Sequence, residues 1–150
     1  PQRHVEVVAE LADNYRKRCQ AHGTSAAVGM FREAWIANDH EPAMAEWAES
    51  VVAVHRLYYN VGAYRPHFEP WAAGSLPRSE VNFDLLSPGR FLVGDGEQLR
   101  HTVNQWRDLT GVQYLALRFR HPKGPSHEAT CDALRRFGEE VISTTSGSGE

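Results

Sequence analysis

Residues 111–141, GVQYLALRFRHPKGPSHEATCDALRRFGEEV, constrain the fold more than any other stretch of this chain. An apolar run over residues 112–119 carries arginines at its far end, Arg118 and Arg120. A polar elbow follows, His121-Pro122-Lys123-Gly124-Pro125, and a helical pattern then starts at Ser126. The order predicts strand, loop, helix, with charge gathered where the strand ends. In parallel α/β folds that edge is where ligands sit.

The rest of the chain reads as further copies of the same unit. Val5, Val8, Ala12, Tyr15 and Cys19 share one face of a helix over residues 2–22, with Gly23 suited to a left-handed cap. Residues 26–37 are apolar on both faces, as in a parallel strand covered on both sides. Arg32 and Glu33 interrupt that strand. Neighbours on a strand point to opposite faces, so one of the two charges must point inward and find a partner.

Asp39 can cap the next helix, and Pro42 suits its first turn. Met44, Trp47, Ala48, Val51, Val54, Leu57 and Tyr58 make its apolar face. Periodicity fades over residues 60–87, a long connection with aromatic residues that suggest it packs down on something. A short strand over residues 90–93 leads through Gly94-Asp95-Gly96 into another helix. Asp95 and Gln98 there have capping-box spacing, and Leu99, Val103, Trp106 and Leu109 face inward. Gly111 ends it. The last helix presents Ala133, Leu134, Phe137 and Val141.

Such alternation predicts an α/β fold of about three parallel strands joined by right-handed crossovers. Three strands are too few to close an eight-stranded barrel, so the architecture expected is a partial barrel or a small open sheet. The chain has 150 residues, enough for one domain with a core. A net charge of −3 offers no basic field for nucleic acid or acidic lipid. Cys19 and Cys131 make no disulfide framework, which points to a reducing cytoplasmic setting. No apolar run approaches a membrane span. The opening Pro1-Gln2-Arg3, already in a helical pattern, suggests a partial sequence. Residues 143–150 read as a disordered tail after a domain over residues 1–142.

Three blocks resemble a known family. They are GMFREAWIA at residues 29–37, FLVGD at residues 91–95, and LALRFRHP through GPSHE to FGEEVI within residues 115–142. With the helix ending in Tyr58-Tyr59-Asn60, they are similar in order and spacing to the C-terminal part of luciferase-like flavin-dependent oxidoreductases. The resemblance implies a (β/α)8 TIM barrel that binds reduced FMN, or in some branches F420, and uses oxygen to oxidise an organic substrate. This chain would supply the fifth helix and strands six to eight. The first five strands would lie elsewhere, so association with that half, or homo-oligomerisation, is expected. The alternative is a shortened, non-catalytic relative that binds a ligand or a second chain.

Within that reading Arg118, Arg120 and Arg32 are the candidates to hold flavin. A guanidinium at the strand end can grip a phosphate, a flavin carbonyl or an acidic substrate, or it can form an ion pair with a carboxylate such as Glu33. Tyr59, Tyr64, His67 and Trp71, with Tyr58, either line a substrate pocket or pack under the long loop. His121 and His127, on an exposed loop, are the best-placed histidines for proton transfer. Ser126 is an N-cap or an anion contact. No metal-ligand spacing, nucleophile elbow, P-loop or dinucleotide fingerprint is found.

Overall fold

The computed structural model describes residues 3–37, 41–74 and 76–143. Helix α1 (Val5–Ala21) leads to strand β1 (Gly29–Ile36), and helix α2 (Pro42–Asn60) follows. Single 3-10 turns at Pro70–Ala72 and Arg78–Glu80 and a short helix α3 (Phe83–Leu86) punctuate the long connection. Then come β2 (Leu92–Gly94), α4 (Gly96–Thr110), β3 (Tyr114–Arg118) and α5 (His127–Phe137), which runs on as a π-helical turn, Gly138–Ile142.

Local chemistry sets most of these boundaries. The Asp95 side chain accepts from the Gln98 N–H at 2.9 Å while the Gln98 side chain accepts from the Asp95 N–H at 3.0 Å, closing the capping box expected of α4. Gly111 ends α4 in the left-handed region, φ 59°. Ser126 caps α5 by accepting from the Ala129 N–H at 3.1 Å. Pro42 opens α2 with Glu41 as its N-cap residue; Asp39, the cap expected from the sequence, lies outside the described residues. In the long connection Asn82 accepts from the Leu85 N–H, which gives α3 its start where periodicity alone showed no helix. Of the expected tail, Ser143 still bonds back to the Glu139 carbonyl, and residues 144–150 lie outside the described residues.

The three strands form one open, all-parallel sheet in the order β2-β1-β3. β3 pairs with the first half of β1, from Gly29↔Tyr114 to Glu33↔Arg118. β2 pairs only with its end, Ala34↔Leu92 to Ile36↔Gly94. Consecutive barrel strands would put β2 in the middle; here β1 holds that place. The crossover through α4 returns the chain to the other edge of β1. On the β2 side, residues 29–33 have no strand neighbour among the described residues.

The core lies where α2, α4, α5 and the long connection meet the sheet. Trp35, Trp47, Val51, Leu86, Leu92 and Leu99 are fully buried. Trp47 is its hub, stacking on Trp35 at 6.3 Å and meeting Phe91 edge-on at 5.9 Å between ring centroids. Burying one such large apolar side chain stabilises the fold by about 1.5–3 kcal/mol. Four expected inner-face residues are instead largely exposed: Tyr15 46%, Leu57 56%, Leu109 52% and Leu134 49%. Two strand spacings of about 4.8 Å give a sheet only about 10 Å wide, too narrow to cover every apolar stripe. Among the described residues no helix is long and apolar enough to cross a membrane.

Candidate functional site

The site is built around Glu33. The parallel register places it beside Arg118 on the neighbouring strand. Arg118 Nε donates to Glu33 Oε2 at 2.9 Å, and its Nη2 donates to Oε1, a two-point pair. His121 Nε2 meets Oε2 at 2.5 Å, and His55 Nε2 of α2 stands 3.8 Å from Oε1. The elbow after β3 delivers His121. Its turn is closed by the Gly124 N–H on the His121 carbonyl at 3.1 Å, with Lys123 in the left-handed region at φ 62°. Glu33 is 1% exposed, so desolvation alone would raise its carboxyl. Hydrogen bonds from His121 and Arg118, with the His55 imidazole close by, outweigh that and hold it well below the usual carboxylate range.

His55 is fully buried, and burial holds its pKa below the ordinary value although Glu33 opposes the shift. Its Nδ1 lies 2.7 Å from the Tyr64 hydroxyl, which also donates to the His55 carbonyl at 3.2 Å. Burial raises the Tyr64 pKa. Arg90 stacks over the Tyr64 ring at 4.8 Å and forms a buried ion pair with Glu69. A polar chain thus runs from the end of β3 through β1 and α2 into the long connection.

Arg32 lies on the other face of β1 and is 2% exposed. Both members of the Arg32-Glu33 pair are therefore buried, where the sequence required only one. The Arg32 guanidinium stacks over Trp106 at 5.1 Å, and Nη1 donates to the Phe31 carbonyl at 3.3 Å. Its Nε and Nη2 have no hydrogen-bond partner among the described residues. Burial, helped by Arg90, pushes its pKa down to about 10. A desolvated cation–π contact offsets about 2 kcal/mol, whereas an uncompensated buried ion costs several. Arg32 is left short of a counter-charge.

A cleft of about 350 Å³ runs beside this strand, lined by Arg3, Val8, residues 29–33, Tyr58 and Arg118. Five consecutive β1 residues line it, and on the β2 side these residues have no strand neighbour among the described residues. Three arginines and one carboxylate line the cleft, and Arg118 is already paired with that carboxylate. Phe31 (47% exposed) and Tyr114 (70% exposed) share the Arg118 face with exposed Ala116, forming an open apolar strip beside the charge. Arg118 lies 5.4 Å from the Phe31 ring, and its side chain is 39% exposed.

Of the arginines singled out in the sequence, Arg118 and Arg32 come together at this cleft. Arg120 is exposed, does not line the cleft and forms no ion pair among the described residues. Tyr59, Tyr64 and Trp71 cluster, with ring centroids 5.0 to 6.2 Å apart. Tyr59 donates to the Leu76 carbonyl at 2.9 Å, tying the loop down. His67 is exposed and rests on Phe68, away from that cluster. His121, expected on an exposed loop, is 3% exposed, because its bond to Glu33 draws the elbow inward. His127 stays exposed, 3.5 Å from Cys131 Sγ.

His55, Glu69 and Arg90 escaped sequence reasoning. His55 occupies an ordinary helical position, and no spacing signals that it meets Glu33. Arg90 carried a usable signal, a charge at the mouth of an apolar strand. Among the described residues no group of three or more metal-ligating side chains is arranged to hold an ion. No model of a known protein family matches the chain, and no curated protein matches it.

Proposed function

We propose that this chain is the C-terminal portion of a luciferase-like flavin-dependent oxidoreductase, of the monooxygenase type. The observation that carries the proposal is the Arg118 guanidinium. Glu33 fixes it, yet it stays partly exposed at the margin of the open apolar strip formed by Phe31, Ala116 and Tyr114. A flat heteroaromatic ring needs an apolar surface to lie on and a rigid donor at its polar edge. These residues fit reduced FMN, with F420 as the alternative. When bound, the flavin supplies the electrons with which oxygen oxidises an organic substrate.

This chain's own part is binding and orientation. Glu33 and His121 hold the Arg118 fork, so it meets a flavin oxygen without reorganising. Phe31 and Tyr114 keep water off one ring face. Tyr59 at the end of α2, with Tyr64 and Trp71 of the long connection, supplies an aromatic wall for the substrate. In the TIM-barrel reading β1, β2 and β3 are strands six to eight, and the observed order β2-β1-β3 departs from the consecutive order of such a barrel. Further strands would pair with the free stretch of β1, either from the other half of the barrel or from a second copy.

The strand edge and the exposed Phe31 and Tyr114 also favour a second reading, a non-catalytic ligand-binding or oligomerising module. Cys19 and Cys131 are free thiols, which supports a cytoplasmic location. FMN titration, followed by flavin fluorescence with solution mass measured in parallel, tests the proposal. Saturable binding weakened about tenfold or more in Arg118→Met is the expected result. A chain that binds neither FMN nor F420 rules out the flavin reading.

A further inference from the structure

We propose that the cleft along β1 is a binding site for a small oxyanion, a phosphate or carboxylate group held by Arg32 and Arg3. The proposal stands apart from the flavin reading, because it follows from the charge that β1 leaves uncompensated.

Arg32 is 2% exposed, and its Nε and Nη2 have no partner among the described residues. The carboxylates around it are committed elsewhere. Glu33 is on the opposite face, held by Arg118 and His121. Glu69 is paired with Arg90. The stacking on Trp106 covers one face of the Arg32 guanidinium and leaves its in-plane N–H groups to be satisfied. Nε with a neighbouring Nη is the fork that grips two oxygens of one carboxylate or phosphate. Arg3 is exposed at the same cleft, free to close on an anion from the solvent side.

The cleft of about 350 Å³ has room for an oxyanion and for part of the molecule that carries it. Beside it, residues 29–33 of β1 have no strand neighbour on the β2 side among the described residues. The same chemistry could reach the cleft as a free phosphate, as the carboxylate of a substrate, or as the phosphate of a flavin nucleotide.

Calorimetric titration of the full chain with inorganic phosphate and with acetate, at constant ionic strength in chloride, tests the site. The expected result is saturable binding of at least one of them. It should weaken tenfold or more in Arg32→Met and about threefold in Arg3→Ala, and stay unchanged in Arg135→Ala, an exposed arginine of α5. Circular dichroism checks that each variant folds. Arg3 is exposed, so its variant carries the test if Arg32→Met does not fold. FMN compared with riboflavin separates the sources. An Arg32 effect on FMN and none on riboflavin places the nucleotide's phosphate in the cleft. Phosphate binding with neither flavin bound supports the anion site and removes only the flavin reading. No saturable binding of either anion by the unmodified chain overturns the proposal. So does binding that is unchanged in a folded Arg32→Met, or, if that variant does not fold, binding that is unchanged in Arg3→Ala.

Discussion

Glu33 and Arg118 are register partners on adjacent parallel strands and are joined by a two-point ion pair. The exposures of the two side chains differ sharply, 1% for Glu33 and 39% for Arg118. The carboxylate is an internal anchor and the guanidinium is the part that reaches the surface. An arginine of this kind is held from behind and offered in front, a pose suited to recognition as well as stability.

Removing the anchor should cost more than removing the arm. Glu33→Ala takes away the common partner of Arg118, His121 and His55, and breaking a buried pair costs about 3–5 kcal/mol. Arg118→Met should cost about 1 kcal/mol, since solvent screens its exposed charge and Glu33 keeps both histidines. Urea midpoints of the two variants check the order. A larger loss in Arg118→Met than in Glu33→Ala would mean that Arg118 rather than Glu33 is the organising residue.

Stability should fall as the solution is acidified, in two stages. His55 has a folded pKa below its unfolded value of 6.5, so the unfolded chain binds the proton more readily. Stability is then lost as pH falls below about 6.5, with a slope of up to about 1.4 kcal/mol per pH unit. Glu33 has a depressed folded pKa, so its contribution is present above the unfolded value of 4.5 and is lost as pH falls toward its folded pKa. Unfolding free energies measured from pH 8 to pH 2 should show both stages. In His55→Gln the first should flatten, and in Glu33→Gln the second should.

Arg32→Met should hold or raise stability in chloride buffer free of phosphate and carboxylates. Methionine keeps much of the side-chain volume on Trp106 and removes a buried charge that lacks a counter-charge. Replacing buried ionic groups with apolar ones is often neutral, or stabilising by about 1–4 kcal/mol. Thermal melting in chloride, where nothing fills the cleft, is the measurement. A marked loss would show that the cation–π contact with Trp106 is worth more than assigned here.

Asp95→Ala should cost about 1 kcal/mol. It removes one of the two reciprocal bonds that start α4 and leaves the Gln98 N–H without its acceptor. Asp95→Asn should recover most of the loss, because the amide oxygen can still accept. Chemical denaturation of the two variants side by side gives the comparison.

Some elements were legible because their signals are local. The α4 capping box needs only Asp95, Gln98 and three peptide units. The caps Gly111 and Ser126, and Pro42 at the start of α2, are equally short-range. Strand ends were read too generously, by three residues at the front of β1, because an apolar run does not reveal where pairing stops. The exposed Leu109 and Leu134 looked internal, because periodicity shows a helix's stripe and not how much sheet there is to cover it. The pairing of Arg118 with Glu33 is one of two readings the sequence leaves open, and its loop position predicts an exposed His121.

The sequence by itself determined the alternation of helices and parallel strands, the caps, and the presence of charges on strands that should be apolar. Those properties depend on neighbours within about a turn or a strand. Only the tertiary structure decided that β1 is the central strand, that Glu33 gathers Arg118, His121 and His55, and that Arg32 has no carboxylate partner among the described residues. Each depends on which distant segments share a buried space. Burial makes such meetings matter, because a charge out of water must be matched by whatever group the fold brings within hydrogen-bonding distance.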